Sequence, residues 1–331
     1  MKRLLFSLLF IVSSFVVPAQ NKAHTKELLL MSSRFEVTAV SENDTLAWKA
    51  INAVIAETKR IEKLISEWDS TSQTSAINRN AGVRPVVVDR ELFDLIARSI
   101  KVSKLTDGAF DISFAPLYKV WKINEKINAI PTNDQIESAK KFVGYSKIIL
   151  DNINQTVFLQ EKGMKIGLGG IGQGYVANAC KHLMVQMGIK AGLINVSGDI
   201  ITWGTQPDGS NWRIGIADPK DKDAVISWLA VHDVSVVTSG NYEKFITVNG
   251  KRYGHIVDPR TGYPADHVGS VTIVSPDAEL SDALATGVFV LGVDDGLNLV
   301  NQLKGVECLI IDEQNNLHPS KNMTLNFEKR E

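Results

Sequence analysis

The amino-acid sequence predicts an α+β protein in which mixed and antiparallel sheets are flanked by helices. Two long amphipathic patterns, at residues 45–69 and 89–108, predict helices in the first third of the chain. Short strand-like runs separated by turn residues dominate from residue 191 to residue 275. The 331 residues contain no repeat of fixed period and no low-complexity linker. Helices grouped early and strands grouped late favour this class over a regular βαβ alternation.

The first half of the chain supplies a strand, two long helices and two short strands. LLLMSSRFEVTAV predicts one strand that starts near Leu28. The second helix has Asp89 as its predicted N-cap and Gly108 just past its end. A short helical pattern follows Pro131, and strand-like segments cover residues 147–150 and 156–160. The first helix is apolar at helical spacing, at Ala47, Ile51, Val54, Ile61, Ile65 and Trp68.

The second half supplies one helix, a run of strands, two more helices and a closing strand pair. The helix has an apolar residue every fourth position from Tyr175 to Met187 and ends at Gly188. SDALATGVFVLG, with Ser281 as its predicted N-cap, and DDGLNLVNQLKG predict the two later helices. VECLIIDEQNNLH predicts the closing strand pair. The strand-like runs are AGLINVSGDIITWG, WRIGIAD, LAVHDVSVVTSG, KFITVNGKRYGHIVD and VGSVTIVS.

The N-terminus predicts export. MKRLLFSLLFIVSSFVVPAQ has two basic residues, an apolar run over residues 4–17 and a small residue, Ala19, at its end. This is the pattern of a secretory signal peptide. The run is short for a transmembrane span, although an uncleaved anchor is the alternative. No Cys follows the run for lipid attachment, so we expect a cleaved signal peptide at residues 1–19, a mature domain at residues 20–331 and a periplasmic location.

Composition and cysteine content exclude two classes of protein. The formal net charge is −1, and no run of Lys or Arg provides the basic surface that nucleic-acid binding needs. The only cysteines are Cys180 and Cys308, and no Cys/His cluster has zinc-site spacing. A buried, inert thiol is the favoured interpretation of Cys180, while the sequence leaves its pairing with Cys308 open.

The stretch KIGLGGIGQGYVANAC allows three interpretations. Gly167, Gly169 and Gly172 match the dinucleotide-binding pattern G-x-G-x-x-G, and Asp199 follows at a suitable distance. However, the preceding EKGMKI is not a buried apolar strand, and antiparallel-looking strands follow. The glycines therefore favour either a tight strand-to-helix turn or a close backbone approach to a phosphate or metal ion at a helix N-terminus.

Two later stretches carry candidate chemical groups. In YGHIVDPRTGYP a strong turn sequence explains every residue except His255, for which a structural and a catalytic role are both open. In SDALAT, Asp282 and Thr286 are four residues apart and share one helical face. A carboxylate and a hydroxyl are hard oxygen ligands that suit Mg²⁺, although helix capping and the helix dipole also explain this pattern.

Read together, six stretches resemble one family. GAFDISFAPL, GGIGQGY, NVSGD, TSGNYE, HIVDPRTGYP and DALAT occur in the order and rough spacing of the flavin transferase (ApbE) family, the FAD:protein FMN transferases. LMSSRF and SEWDSTSQTSAIN are similar to the family's first strand and early segment. The resemblance covers nearly the whole mature chain and implies a two-lobed single-chain α+β fold. An exported location agrees with it.

The resemblance implies an activity. Family members bind FAD with Mg²⁺, cleave its pyrophosphate and attach FMN through a phosphoester to a Thr or Ser of an acceptor protein, releasing AMP. The implied partners are therefore FAD and an acceptor protein, including acceptors close to the membrane. Two alternatives stay open: an FAD-binding protein with impaired turnover, and an FAD pyrophosphatase that gives FMN and AMP.

The resemblance also implies roles for individual residues. His255 would lie near the reacting phosphate as general base, and Asp282, Thr286 and the carbonyl of Gly170 would ligate Mg²⁺. Several positions depart from the family pattern, which commonly has Asp at Gly167 and often Lys at Gln173. MSS also replaces the usual Met-Gly-Thr, and Ser197 replaces one glycine of the GGD pattern. The positions that match FAD contacts of the family are Met31, Trp68, Ala109, Phe110, Asp111, Gly167, Gln173 and Ile256. Among these, Trp68 offers an aromatic face on which a flat ring can stack.

Overall fold

The computed structural model of the protein describes residues 21–123, 125, 129–241 and 244–325. The predicted signal peptide, residues 1–19, lies outside the described residues. None of the helices in the described part of the chain is both long enough and apolar enough to cross a membrane.

The predicted helices and strands occur in the predicted order, and the structure adds a first strand, a two-residue strand (Val86–Val87) and two short helices (Gln73–Arg79 and Ala115–Trp121). The helices are α1 (Asp44–Ile65), α2 (Gln73–Arg79), α3 (Arg90–Leu105), α4 (Ala115–Trp121), α5 (Asn133–Lys140), α6 (Gly172–Gln186), α7 (Ala278–Leu291) and α8 (Val293–Val300). The strands are β1 (Lys22–Leu30), β2 (Ser33–Ser41), β3 (Val86–Val87), β4 (Ile148–Asp151), β5 (Thr156–Leu159), β6 (Ala191–Val196), β7 (Asp199–Trp203), β8 (Trp212–Asp218), β9 (Asp221–Val231), β10 (Ser235–Gly240), β11 (Phe245–Val248), β12 (Lys251–Gly254), β13 (Val268–Ser275), β14 (Glu307–Asp312) and β15 (Leu317–Pro319).

A large antiparallel sheet organises the described residues. Its strand order is β1-β2-β6-β7-β10-β13-β14-β15, and each neighbouring pair is antiparallel. Smaller sheets are formed by β3-β5-β4, by β8-β9 and by β11-β12. Sheet and helices together confirm the predicted α+β class with antiparallel sheets.

The prediction of one strand from Leu28 was wrong, because the chain reverses direction at Met31 and Ser32. Residues 22–30 and 33–41 pair as a hairpin with Leu30 opposite Ser33. Met31 and Ser32 have φ values of 52° and 58°. Positive φ at both central residues belongs to the type I′ turn, whose twist matches that of the flanking strands. Asn-Gly or Asp-Gly normally mark such turns, so Met-Ser carries no signal for it in the sequence.

The helix boundaries show two differences from the predictions. α1 ends at Ile65, so Trp68 lies in the following segment instead of on the apolar face of the helix. The N-cap of α7 is Asp277, whose side chain accepts a hydrogen bond from the Leu280 N–H, and not Ser281. Ser281 is buried one turn into the helix, where its hydroxyl hydrogen-bonds with those of Ser235 and Ser275. At α3, Asp89 occupies the N-cap position without making the capping hydrogen bond.

The main core lies between one face of the large sheet and the helices. α1 packs on β2, α7 packs on β10 and β13, and α6 lies against both α1 and α7. The β8–β9 hairpin covers a second apolar cluster, which includes Leu193, Trp212 and Leu309. A third cluster joins α4 and α5 to the β11–β12 hairpin. This arrangement brings the glycine-rich stretch before α6 next to the first half of α7.

Candidate active site

The closest approach in the site is between α6 and α7, and it requires glycine. A methyl group built on Gly174 would collide with the carbonyl oxygen of Ala278 and would lie 2.8 Å from the Asp282 Cβ. With no side chain at position 174, the first turn of α6 lies directly on α7. The Gly174 N–H then donates a hydrogen bond of 3.0 Å to Asp282 Oδ2.

Asp282 is a buried carboxyl group that caps α6 from the neighbouring helix. Its residue exposure is 5%. Burial raises its pKa to about 7, against the opposing effect of hydrogen bonds from the Gly174 and Gln173 backbone N–H groups. The first N–H groups of a helix have no partner within the helix, and the N-cap residue Ile171 has no side-chain acceptor to offer. Asp282 supplies that acceptor, which is a structural role beside the predicted metal-binding one.

Thr286 and Gly170 lie together, as the predicted ligand set requires. A methyl group built on Gly170 would lie 3.1 Å from Thr286 Oγ1 and 3.5 Å from the ring of Phe110. Thr286 is one turn after Asp282 on α7, so both side chains face the glycine-rich stretch. The structure therefore places the Thr286 hydroxyl against the backbone at Gly170 and the Asp282 carboxyl against the backbone at Gly174, four residues further along the same stretch.

Asp199 is a buried residue of this site that the sequence analysis assigned only to the dinucleotide-binding pattern. It is the first residue of β7, is buried, and hydrogen-bonds through its side chain with Asp282. Two carboxyl groups can hydrogen-bond with each other only when one of them carries a proton. The sequence signal was the acid in NVSGD, but only the tertiary structure places it beside Asp282.

The oxygen atoms of these residues are ligands that suit a magnesium ion. Carboxyl, hydroxyl and carbonyl oxygens are hard ligands, which Mg²⁺ prefers. Within the described residues no group of three or more His, Cys, Asp or Glu side chains has metal-binding geometry. An ion at this place would therefore complete its octahedral shell with water and substrate phosphate oxygens, as Mg²⁺ commonly does.

His255 presents one ring nitrogen as a base. It follows β12, and both its backbone N–H and Nδ1 lie within 3.2 Å of the Lys244 carbonyl oxygen. A carbonyl only accepts, so Nδ1 carries the proton and Nε2 has the free lone pair. Burial, with the nearby Lys244 charge as a smaller cause, lowers the pKa of His255 to about 4. The imidazole is consequently neutral at physiological pH.

The turn after His255 is rigid and connects to the loop before α4. Asp258 accepts hydrogen bonds from the backbone and side chain of Arg260, and Gly262 closes the turn with φ +84°. The Arg260 side chain lies 3.7 Å from a methyl group built on Gly108. This contact joins the His255 segment to the loop that contains three of the predicted FAD positions.

In that loop, both oxygens of the Asp111 carboxylate accept hydrogen bonds from other residues of the protein. Its Oδ1 accepts hydrogen bonds from the Ser113 N–H and hydroxyl, and its Oδ2 accepts one from the Tyr145 N–H. Ala109 and Phe110 are buried as well. The Asp111 carboxyl therefore has the structural role of holding the loop in shape, and its predicted contact with FAD stays a prediction.

The remaining predicted FAD positions differ in exposure. Trp68 is 75% exposed and lies edge-on to Tyr118, with ring centroids 6.5 Å apart. Gln173 is half-buried in the first turn of α6, and Ile256 is buried. Met31 lies in the β1–β2 turn, half-buried against the main core.

Gly167 is covered by a carboxyl group that the sequence analysis did not single out. A methyl group built on Gly167 would lie 2.5 Å from Glu67 Oε1. The Gly167 N–H donates to the Ile112 carbonyl oxygen at 2.8 Å, which fixes the backbone next to the Asp111 loop. By contrast, nothing lies within 4 Å of a methyl group built on Gly169.

Both cysteines are free and buried. Burial raises the pKa of Cys180 to about 12 and raises that of Cys308 as well. The interpretation of Cys180 as a buried thiol is confirmed, and the pairing that the sequence left open is not formed.

Comparisons with known proteins show the family to which this chain is related. A model of the family described as "ApbE family" matches residues 31–310. An FAD:protein FMN transferase of Klebsiella pneumoniae (strain 342) is 32% identical over 311 residues, which are 93% of this chain and 95% of that protein. One of Treponema pallidum (strain Nichols) is 33% identical over 279 residues, 79% of this chain and 76% of that protein. The crystal structure of the ApbE protein of Thermotoga maritima is similar with a TM-score of 0.85 at 31% identity, covering 91% of this chain and 97% of that one.

Proposed function

This chain belongs to the ApbE family, and we propose that it is a Mg²⁺-dependent FAD:protein FMN transferase acting on an exported acceptor protein. The observation that supports the proposal is that the Thr286 hydroxyl lies against the backbone at Gly170, while the Asp282 carboxyl accepts from the Gly174 N–H in the first turn of α6. It combines hard oxygen donors with a helix N-terminus, which favours a diphosphate.

In the proposed reaction, a Thr or Ser hydroxyl of the acceptor attacks the phosphorus of the FMN half of FAD. The new P–O bond forms the phosphoester, the P–O–P bridge breaks, and AMP leaves with the bridging oxygen. His255 Nε2 takes the hydroxyl proton. It can do so because the ring is neutral and the hydrogen bond of Nδ1 leaves the lone pair on Nε2. When bound, Mg²⁺ would neutralise negative charge on the diphosphate.

The other groups bind and orient FAD. Trp68 provides an exposed aromatic face for a flat ring. Gly169 leaves open space over the backbone, so the phosphates can approach the loop closely. Because this chemistry forms no covalent bond to the enzyme, positioning and charge neutralisation account for most of the catalysis.

The test is direct. Protein comprising residues 20–331 is incubated with FAD, MgCl₂ and a candidate acceptor, beside the acceptor with its target Thr or Ser changed to Ala. We expect the acceptor to gain the mass of FMN less water, with one AMP released per label and none in excess EDTA. AMP release without labelling would indicate hydrolysis by water, and FAD binding without AMP release would indicate a binding protein. Either result would contradict the proposal.

We propose a periplasmic location for the mature protein, where membrane-bound acceptors are within reach. The support is the signal-peptide pattern over residues 1–19. The N-terminus of the protein isolated from its own cells should begin near Gln20. An intact Met1 in the mature protein would contradict cleavage.

A further inference from the structure

Glu67 occupies a defined place on the glycine-rich stretch. It lies in the segment between α1 and α2, a hundred residues before the glycine that it covers. A methyl group built on Gly167 would lie 2.5 Å from Glu67 Oε1 and 2.9 Å from Oε2. Both carboxylate oxygens thus rest on backbone that has no side chain of its own, and any side chain at position 167 would displace them.

Within the part of the chain that the structure describes, the Glu67 carboxyl group makes no hydrogen bond or ion pair that explains its position. Among the hydrogen bonds and ion pairs of the described residues, Glu67 contributes only its backbone carbonyl, which accepts from the Ser75 hydroxyl. Burial raises the pKa of Glu67 to about 7, and the charge of the exposed Lys165 opposes this only in part. A half-buried carboxyl group that lacks a partner is costly unless something else supplies the hydrogen bond.

The neighbours of Glu67 indicate what that partner is. Trp68 follows directly and presents an exposed indole. Gly167 is hydrogen-bonded to Ile112, beside the predicted FAD loop. A stacking face and a hydrogen-bond acceptor one residue apart suit a flat heterocycle that carries N–H groups on its edge.

We propose that Glu67 is a specificity-determining residue, whose carboxylate accepts a hydrogen bond from an N–H group on the edge of one ring of bound FAD. The inference rests on the proposed function, because it takes FAD as the ligand of this site. Two rings of FAD carry such a group: the adenine has its amino group and the isoalloxazine has its ring N–H.

The first experiment measures FAD binding by titration calorimetry with Glu67→Ala, Glu67→Gln and the control Glu62→Ala, a carboxylate on the last turns of α1. A hydrogen bond to a charged group predicts a Kd for FAD raised on the order of tenfold or more in Glu67→Ala. The neutral amide of Glu67→Gln should give a smaller rise, and Glu62→Ala none. An unchanged Kd in Glu67→Ala would overturn the proposal.

A second variant separates ligand binding from a purely structural role. Gly167→Asp alone places a side chain where the Glu67 carboxylate lies, so FAD binding should weaken. In Glu67→Ala/Gly167→Asp the new carboxylate takes the vacated place, and the Kd should return toward the wild-type value. A double variant that binds FAD as weakly as Glu67→Ala, with an unchanged melting temperature, would contradict the assignment.

Binding titrations with riboflavin and with AMP identify which ring of FAD the Glu67 carboxylate contacts. The Kd of one of them should rise by the same factor as that of FAD in Glu67→Ala, while the other stays unchanged. Equal changes for both, or for neither, would overturn the proposal. If the wild-type protein binds FAD and labels an acceptor, but Glu67→Ala binds FAD with the wild-type Kd, only this inference is refuted. Wild-type protein that binds no FAD refutes the proposed function with it.

Discussion

At the scale of single residues, His255 shows how one hydrogen bond prepares a side chain for chemistry. The Lys244 carbonyl oxygen accepts from Nδ1 and leaves Nε2 as the only available base. Partial burial keeps the ring neutral. The sequence left a structural and a catalytic role open for this residue, and the fixed tautomer favours the catalytic one.

Removing the imidazole should slow the chemical step without weakening substrate binding. For His255→Ala we expect kcat to fall by about 10²- to 10⁴-fold, the usual contribution of a general base. The Kd for FAD should stay within about twofold, because a base contributes little to ground-state binding. The rate of AMP release at saturating FAD measures the effect, with the exposed His267→Ala as control. An unchanged kcat would exclude His255 as the base.

The pKa of His255 is itself testable by NMR. The C2 proton of His255, assigned with His255→Gln, should titrate with a midpoint near 4 instead of near 6.5. Because the unfolded protein takes up this proton at higher pH than the folded one, the free energy of unfolding should decrease as pH falls from about 6.5 to about 4. A midpoint at 6 or above would show that the ring is not shielded from water.

Asp282 combines two roles that two substitutions separate. Asp282→Asn keeps an oxygen that accepts from the Gly174 N–H, so the fold should persist while Mg²⁺-dependent AMP release is lost. Asp282→Ala removes the acceptor as well and should lower the free energy of unfolding by about 0.5–2 kcal/mol, as loss of a helix cap does. Urea unfolding and magnesium titrations of the rate measure the two effects. Wild-type magnesium dependence in Asp282→Asn would exclude this residue as a ligand.

At the scale of elements, the α6–α7 contact determines whether the site exists. The start of α6 and the first half of α7 touch only because position 174 has no side chain. The contact places the N–H groups of one helix on the carboxyl group of the other. The site is thus a product of helix packing, and the glycine-rich stretch forms its edge.

Gly174→Ala tests this contact. Alanine favours an isolated helix by about 1 kcal/mol over glycine, but the added methyl group would collide with Ala278 and Asp282. Overpacking of this kind typically destabilises a protein by about 1–3 kcal/mol, so net destabilisation and loss of turnover are expected. Gly169→Ala, which meets only open space, should leave the unfolding midpoint in urea unchanged. A Gly174→Ala protein as stable as the wild type would disprove the close approach.

At the scale of the whole molecule, the buried core stabilises the fold, and no disulfide joins Cys180 to Cys308. α7 passes through the centre of the main core, with Phe289 fully buried between the sheet and the neighbouring helices. Cys180 lies on α6 near the Thr58 hydroxyl, whereas Cys308 lies on β14. At the proposed periplasmic location, both thiols would depend on their burial to avoid oxidation.

This gives a prediction for the native protein. A thiol reagent should label neither cysteine in the folded state and both after unfolding in urea, because thiol reactivity requires an accessible thiolate. Dithiothreitol should leave the melting temperature unchanged. Two thiols that stay unlabelled after unfolding, but react once reduced, would indicate a disulfide and contradict the structure.

Local sequence pattern predicted the elements because helices and strands depend on neighbours within a few residues. The apolar spacing of α1 and the breaks between the late strands are such local signals. Local pattern did not predict the type I′ turn at Met31 and Ser32, because neither residue is a usual turn former. The pairing of the two strands imposes this conformation.

The sequence by itself determined the α+β class, the order of the helices and strands, and the residue types of the candidate site. Only the tertiary structure decided that Asp282 is buried against Gly174 and Asp199, that the Asp111 carboxylate accepts from the Tyr145 N–H, and that Glu67 covers Gly167. The physical reason is distance along the chain. Asp282 and Gly174 are 108 residues apart, so burial, hydrogen bonding and pKa at the site depend on packing that no local pattern encodes.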